Sequence, residues 1–595
     1  MDREHKPSAT APRSKNSQTD SGWPKWSGAG AIIAAGALVY VNSFRGPFLF
    51  DDLDIITNLD IRQLWPPWPA MFAPQNVSRP LIGLSLAINY AISGLDTWSY
   101  HVFNLLIHVL AALTLFGIVR RTLLTEPLRE RFGQASFALA LVVALLWVVH
   151  PLQTQSVTYI IQRCESQMGL FYLLTLYSAV RGFTSDRKAL WYSSAIASGA
   201  AGMMSKQVMV TAPLMVLLYD WLFFSPSLKK ALSERKHLYL GLAATWGVLA
   251  ATIMAAPANL TAGFEVKSIT PFSYFKSQPG VVVHYLRLSL WPDSLVLDYA
   301  WPEAKTFGEV APYALILVLL GGATLWALAR RKPWGFLGAW FFLILSLTSS
   351  FMPFSDLAYE HRMYLPLASV VGAVVLGGYA LGGHLLRRMV TVEAERRRLG
   401  RLAAVALVAL AAASLGSLTL RRNLDYQSPI TMWSDVVSKR PENSRGHTNV
   451  GKFLAERGHL DRALHHFSEA CRYNPESPSA HNNLGQALIA MGDYKEGAVH
   501  LKEALRLRPN YAYAHYNLGQ ALYAQGELDG AAAHFSQALR SDPSHAEAYF
   551  NLGLTREKQG DYREAVNCYR SALRLQPDWP DASSRLSDIL AKIDE

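Results

Sequence analysis

The sequence is poor in cysteine: Cys164, Cys471 and Cys568 are the only three in 595 residues, and no two form a CxxC pair. That excludes a zinc ribbon, a dithiol redox motif and a disulfide-stapled fold. Neither a phosphate-binding P-loop nor a dinucleotide fingerprint occurs, which removes the common nucleotide-dependent enzymes. Charge is sparse at 17%, and acidic residues are outnumbered by basic ones, for a net charge of +11. The basic residues stand in short clusters between apolar runs, so they read as a topology signal and not as a nucleic-acid footprint.

What the sequence has in abundance is apolar length. Hydrophobic residues make up 51% of the chain. They concentrate before residue 420 in eleven runs, at about 28–41, 100–119, 136–150, 167–182, 189–204, 208–224, 238–256, 310–329, 335–351, 364–386 and 402–420. Each approaches the ~20 residues that a bilayer requires. The first carries basic residues on its N-terminal side and no clear small-residue cleavage site, so it reads as a retained span. Val281 to Leu297, with His284, Arg287, Trp291 and Pro292, suits an interfacial helix better than a further span. The basic clusters 120–131, 181–188, 229–236, 330–332 and 387–401 follow alternate spans, and the Ser/Thr/Lys/Arg-rich tail joins the same side. Under the positive-inside rule these are cytoplasmic, and 44–99, 150–165, 257–309, 352–363 and everything after 420 face outward. The expected domains are a disordered cytoplasmic tail at 1–24, a membrane domain at 25–420, a linker with a half repeat at 421–441, and an extracytoplasmic repeat domain at 442–595.

The second half repeats. Pro441, Pro475, Pro509, Pro543 and Pro577 are separated by 34 residues each time, as are Gly451, Gly485, Gly519 and Gly553. Phe467, Leu501, Phe535 and Tyr569 keep the same step. A 34-residue period of these residue classes resembles the tetratricopeptide repeat, a stacked helix-turn-helix solenoid. The glycine lets two helices approach closely and the proline stops the second. Asn449, Asn483, Asn517 and Asn551 share one register on the first helix of each repeat. Two readings stand side by side: an amide ladder gripping a peptide backbone, or a consensus residue bonding within its own repeat.

The outward loops carry the chemistry. The first reads FLFDDLDIITN, then Arg79-Pro80-Leu81 and Asn89-Tyr90, and leads into Tyr100, His101, Asn104 and His108. The second runs from His150-Pro151 to Arg163, Cys164 and Glu165. Lys206 stands in a short turn, and a late loop reads Tyr359-Glu360-His361-Arg362-Met363-Tyr364-Leu365-Pro366. Acids, bases and imidazoles thus gather at the ends of several spans. An outward compartment offers little nucleotide-sugar, so a transferase there needs a donor delivered by the membrane, and a polyprenyl-phosphate sugar meets that need. Its chemistry requires a base for the acceptor hydroxyl and cations for the departing phosphate. Asp51 and Asp52 supply the first, with Asp52 favoured as base; Arg79, His101, Arg163, Lys206, Arg362 and neighbouring histidines supply the second.

FDD after the first span, RPL followed by NY, YHxxNxxxH, the HP loop leading to RCE, and EHRMYLP together resemble the transmembrane and tetratricopeptide-repeat O-mannosyltransferases and their bacterial relatives. The resemblance covers most of 40–370 and is strengthened by the appended repeats. It implies an all-α, polytopic GT-C-type bundle followed by a tetratricopeptide solenoid. It also implies a dolichyl- or polyprenyl-phosphate sugar as donor, Ser/Thr hydroxyls of a protein as acceptors, and a site without metal or other cofactor, whereas Asp51, Asp52 and Asp54 by residue type could hold a divalent ion. A single displacement with one carboxylate as base would invert the anomeric centre. By position, Asp51 and Asp52 match the family's acidic pair. His150, Arg163 and Glu165 match its second-loop motif, and Glu360, Arg362 and Tyr364 its late-loop motif. The chain departs from the pattern at Gln153-Thr154-Gln155, at Cys164 and at His361. The short loops point to a bacterial inner membrane. Two other readings remain at this stage: a membrane-anchored repeat scaffold without catalysis, and a lipid-glycan transporter.

Overall fold

The computed structural model describes residues 27–256, 266 and 269–594. The tail assigned above to 1–24 lies outside them. All eleven apolar runs are helical, at Ser27–Tyr40, Trp98–Leu123, Ser136–Val148, Arg163–Thr184, Lys188–Met203, Ala212–Phe223, Lys236–Ala255, Phe307–Ala329, Gly335–Leu345, Pro366–Met389 and Glu393–Asp425. Among the described residues, six helices are long and apolar enough to cross a membrane, and a bent pair, Gln207–Phe223 with Leu228–Glu234, passes the same test jointly. Ser27–Ser43, Pro80–Ser93 and Gly335–Leu345 are shorter apolar helices.

Arg163–Thr184 is the hub. It packs between Trp98–Leu123 and Lys188–Met203, and most of its side chains are buried, polar ones included. A helix surrounded by protein need not be apolar on every face, so it does not read as a lipid-facing span. Arg120 and Arg121 close the last turn of Trp98–Leu123, where they oppose the negative end of the helix dipole.

The eleven expected spans are not matched by the six or seven helices long and apolar enough to cross a membrane among the described residues, and two elements also differ from the sequence expectation. Pro80–Ser93 is a helix inside what reads as a long loop. Its proline occupies the first turn, where no backbone donor is needed. The expected interfacial helix begins ten residues earlier than anticipated and spans Pro271–Leu290. Its Tyr274, Gln278, Val281 and Tyr285 are buried against the bundle, whereas 291–306 is irregular.

From Pro429 onward the chain is a run of antiparallel helix pairs: Ser444–Glu456 with Leu460–Tyr473, Pro478–Ala490 with Tyr494–Leu507, Ala512–Ala524 with Leu528–Ser541, and Ala546–Lys558 with Tyr562–Leu575. Pro429–Lys439 precedes them and Pro580–Asp594 follows. A Cβ on Gly451 would stand 2.5 Å from the Phe467 ring, and one on Gly519 2.6 Å from Phe535. These are the close approaches that the repeat spacing implies.

The bundle and the solenoid meet through a polar seam. Lys439 Nζ donates to the Leu295 carbonyl at 2.7 Å, and Asn443 Nδ2 to that of Asp298 at 3.1 Å. Arg422, near the end of the last apolar helix, pairs with Asp435 of the first solenoid helix at 2.8 Å.

Candidate functional site

The first loop turns tightly at Phe50–Asp52. Phe50 has φ of 42°, in the left-handed region where a bulky residue is strained. Its ring packs edge-on against Trp433 of the solenoid, 5.2 Å between centroids. The two aspartates that follow part ways. Asp52 is 1% exposed, and both of its oxygens are taken: one accepts the Leu49 amide at 3.0 Å, the other the Ile161 amide at 2.7 Å. It pins the first loop to the second. Burial pushes its carboxyl up to about 8, against the pull of those two amides and of Arg163.

Asp51 is exposed. Its backbone amide donates to the Tyr159 hydroxyl at 2.8 Å, which fixes the turn and leaves the carboxylate at the surface. Desolvation by its crowded surroundings raises its pKa, Tyr159 and Arg445 lower it, and Asp54 and Asp356 raise it further.

Several residues singled out in the sequence serve as ties between loops. His101 Nε2 bonds the Gly46 carbonyl at 2.9 Å. His150 caps the turn after it by accepting the Leu152 amide at 3.2 Å, and its Nε2 reaches the Ser289 carbonyl at 3.2 Å. Arg163 is fully buried; it donates to Asn89 Oδ1 at 2.5 Å, to the Ser85 carbonyl at 3.3 Å and to the Tyr100 carbonyl at 3.2 Å. Glu360 accepts the Val296 amide at 2.5 Å and the Tyr299 hydroxyl at 3.0 Å, and faces Arg422 at 3.7 Å. Burial raises the pKa of Glu360, with Arg422 opposing.

A second group stays open in function. Lys206 and Glu165 form an ion pair. Arg362 donates to the Tyr274 hydroxyl at 3.0 Å and to the Leu357 and Asp356 carbonyls at 2.9 and 3.2 Å, and lies over the Phe354 and Tyr359 rings. Among the described residues its positive charge therefore forms no ion pair. Arg79 stands at the start of helix Pro80–Ser93, half-buried, with no ion pair among the described residues. The next residues fix its place: the Leu81 amide donates to the Met204 carbonyl at 3.2 Å, beside Lys206. His361 is the common neighbour. Burial first, then Lys206, Arg362 and Arg79, drive its pKa well below the usual range, and Gln155 Oε1 accepts its backbone amide at 2.9 Å. Three cations thus lie near a neutral imidazole, with Glu165 paired to Lys206 and Asp356 beside Arg362. Among the described residues no group of three or more His, Cys, Asp or Glu side chains is arranged to hold a metal ion.

In the solenoid Asn449 and Asn483 bond within their own repeat, whereas Asn517 and Asn551 bond to the preceding one. Asn449 Nδ2 donates to the Arg445 carbonyl at 2.9 Å, Asn517 Nδ2 to Asn482 Oδ1 at 3.0 Å, and Asn551 Nδ2 to the Tyr516 hydroxyl at 3.1 Å. Asn483 accepts from Asn482 at 3.1 Å, and its own buried Nδ2 has no partner. Sequence reasoning passed over Tyr159, Asp356 and Arg445. Asp356 stands four residues before Glu360 in an otherwise apolar loop, a usable signal; Arg445 is hidden within a repeat helix.

A bundle of apolar helices with polar loops gathered against a tetratricopeptide solenoid defines a multi-pass membrane protein with a repeat domain. Residues 77–254 match the family model described as dolichyl-phosphate-mannose-protein mannosyltransferase. Residues 451–492, and then 484–546, 516–578 and 550–593, match tetratricopeptide repeat models. The protein O-mannosyl-transferase TMTC1 of Homo sapiens is 24% identical over 511 residues, covering 75% of this chain and 55% of that protein. TMTC4 of Homo sapiens is 25% identical over 516 residues, 75% of this chain and 66% of its own length. The tmtc2 protein of Xenopus laevis is 29% identical over 242 residues, 36% of this chain and 27% of its own length. The chain thus spans between about a quarter and two thirds of the length of these relatives. A crystal structure of MamA is similar at 25% identity over 26% of this chain and 92% of that one, with a TM-score of 0.24, too low to carry an argument. The resemblance carried by the sequence motifs is supported: a match to a mannosyltransferase family model precedes matches to tetratricopeptide repeat models.

Proposed function

We propose that the chain is an inverting membrane glycosyltransferase. It moves mannose or another hexose from a polyprenyl- or dolichyl-phosphate carrier to a Ser/Thr hydroxyl of a protein. The observation that carries this reading is the gathering of Arg79, Lys206 and Arg362 near His361, where, among the described residues, the Glu165 carboxylate is paired with Lys206 and the Asp356 carboxylate with Arg445. That gathering suits a lipid-linked phosphate, which gains negative charge as the sugar departs. Because side chains supply these cations, transfer is expected to persist in EDTA.

In this reading Asp51, and not Asp52, is the base. Its carboxylate is at the surface, whereas both Asp52 oxygens are committed to amides. The acceptor hydroxyl gives its proton to Asp51 as its oxygen bonds the sugar C1. The bond from C1 to the phosphate oxygen breaks, and the electron pair leaves with the lipid phosphate. Attack opposite the departing group inverts the anomeric centre. Asp52, Arg163, His101, His150 and Glu360 hold the loops in register. The site faces outward, with the N-terminus cytoplasmic and the repeats on the acceptor side, as the basic clusters suggest. The solenoid presents acceptor protein, with its asparagines contributing where they remain accessible.

The test is mass spectrometry of envelope and secreted proteins from cells with and without the chain. Hexose lost from Ser/Thr peptides without it, and restored by the wild type but not by Asp51→Asn, supports the reading. An unchanged glycoproteome overturns it.

A further inference from the structure

Arg445 is the second residue of helix Ser444–Glu456, the first full repeat helix. Its guanidinium leaves the solenoid and grips two separate stretches of the bundle. It meets Asp356 with both terminal nitrogens, at 2.9 and 3.2 Å, and Asp298 at 3.1 Å. Asn443 caps the same helix through the Gly446 amide at 2.7 Å while its amide nitrogen holds the Asp298 carbonyl, so the helix start is fixed against that segment. Asp356 relays the grip. Its carboxylate accepts the Tyr359 hydroxyl at 2.6 Å, and its carbonyl accepts Arg362 at 3.2 Å. The loop that aims Arg362 is therefore tied to the repeat domain. Nearby, Trp433 meets Phe50, the residue before Asp51.

We propose that Arg445 is a positioning residue of the transfer site, holding the Arg362 loop through Asp356, so that the solenoid completes the site and is not merely an acceptor-catching appendage. The inference rests on the transferase reading above. A bidentate guanidinium–carboxylate pair fixes orientation as well as distance, which lysine cannot reproduce. Arg445 is among the groups that favour the ionised form of Asp51. Its removal therefore moves the protonation of Asp51 to higher pH.

The experiment measures transfer against pH for the full-length wild type, Arg445→Met, Arg445→Lys and Asp298→Asn, with polyprenyl-phosphate mannose as donor. Arg445→Met is expected to shift the acid limb of the profile to higher pH, losing several-fold more activity at low pH than at high pH. Arg445→Lys restores the position of the limb but only part of the rate. Asp298→Asn weakens the seam while leaving the limb in place. A purely structural role lowers the rate equally at every pH, and that result, or a superimposable profile for Arg445→Met, overturns the inference. If the wild type transfers nothing, the transferase reading itself fails. Hydrogen exchange then decides the positioning claim: Arg445→Met must loosen the amides of 50–53 and 352–362, and unchanged protection there overturns it.

Discussion

The Asp52 carboxylate accepts the backbone amide of Ile161 at 2.7 Å across 109 residues of sequence. With its second oxygen on the Leu49 amide, the residue closes the first loop onto the second and has no oxygen left unbonded. The two halves of the acidic pair therefore have separable consequences when changed. Asp52→Ala leaves the buried Leu49 amide and the partly buried Ile161 amide without an acceptor, at about 1–3 kcal/mol for the buried one and less for the other. Thermal unfolding of the purified protein should fall by several degrees for Asp52→Ala and remain near wild type for Asp51→Asn.

Lys206 and Glu165 give a second test. Removing one member of a buried pair strands the other charge, at roughly 3–5 kcal/mol. Lys206 is 13% and Glu165 5% exposed, so the upper part of that range is reduced by solvent. Lys206→Met should destabilise more than the double variant Lys206→Met/Glu165→Gln, while both lose transfer because the phosphate cluster is broken. Equal melting temperatures for single and double variants would contradict the coupling.

The solenoid carries its own pH dependence. His447, His481 and His515 on first helices meet His466, His500 and His534 on second helices, with Nδ1 to Nδ1 at 3.1, 3.2 and 3.0 Å. The Nε2 atoms of the first set reach the carbonyls of Pro441, Pro475 and Pro509 at 2.9 to 3.0 Å. With Nε2–H donating to the carbonyl, each first-helix histidine accepts the shared hydrogen at Nδ1 as long as it stays neutral. Burial, then the neighbouring His447, lowers His466 to about 4; burial also lowers His500, His515 and His534. The folded state resists protonation that the unfolded chain accepts near pH 6.5. The stability contribution is thus present above about 6.5 and is lost as pH falls toward 4. A melting temperature that declines over this window should flatten in the triple variant His466→Gln/His500→Gln/His534→Gln.

A fourth prediction concerns the support beneath Arg79. A Cβ on Gly83 would stand 1.9 Å from the Ala70 carbonyl oxygen, a backbone atom that cannot swing aside. Gly83→Ala should push Trp68–Phe72 off helix Pro80–Ser93 at a cost of about 1–3 kcal/mol, as overpacking does. Faster proteolysis within 59–79 would register the shift.

Much of the architecture is legible in the amino-acid sequence alone. The 34-residue spacing of Gly451, Gly485, Gly519 and Gly553 implied helix pairs too close for a side chain, and Phe467, Leu501, Phe535 and Tyr569 stand where such a side chain would collide. Apolar runs marked the helices, but Pro80–Ser93 was missed because it is short and broken by Ser85, Asn89 and Tyr90. The list of polar loop residues was legible too; their division of labour was not. His101, His150 and Arg163 are residue types that also bind a phosphate and Glu360 one that also binds a sugar hydroxyl, yet here they bond backbone carbonyls and amides of neighbouring loops. Spacing does not distinguish a tie from a ligand, because both demand a polar group at a loop end. Arg445 was illegible for a different reason: the repeat period hides a residue whose partners, Asp298 and Asp356, lie far upstream.

The central claim is tested most directly by reconstituting the full chain in liposomes with radiolabelled polyprenyl-phosphate mannose and a Ser/Thr-rich acceptor protein. The account predicts mannose incorporation by the wild type and its loss in Asp51→Asn, with the variant's melting temperature unchanged. Full incorporation by Asp51→Asn would contradict the assignment of the base, and no incorporation by a folded wild type with any lipid-linked hexose would contradict the transferase itself.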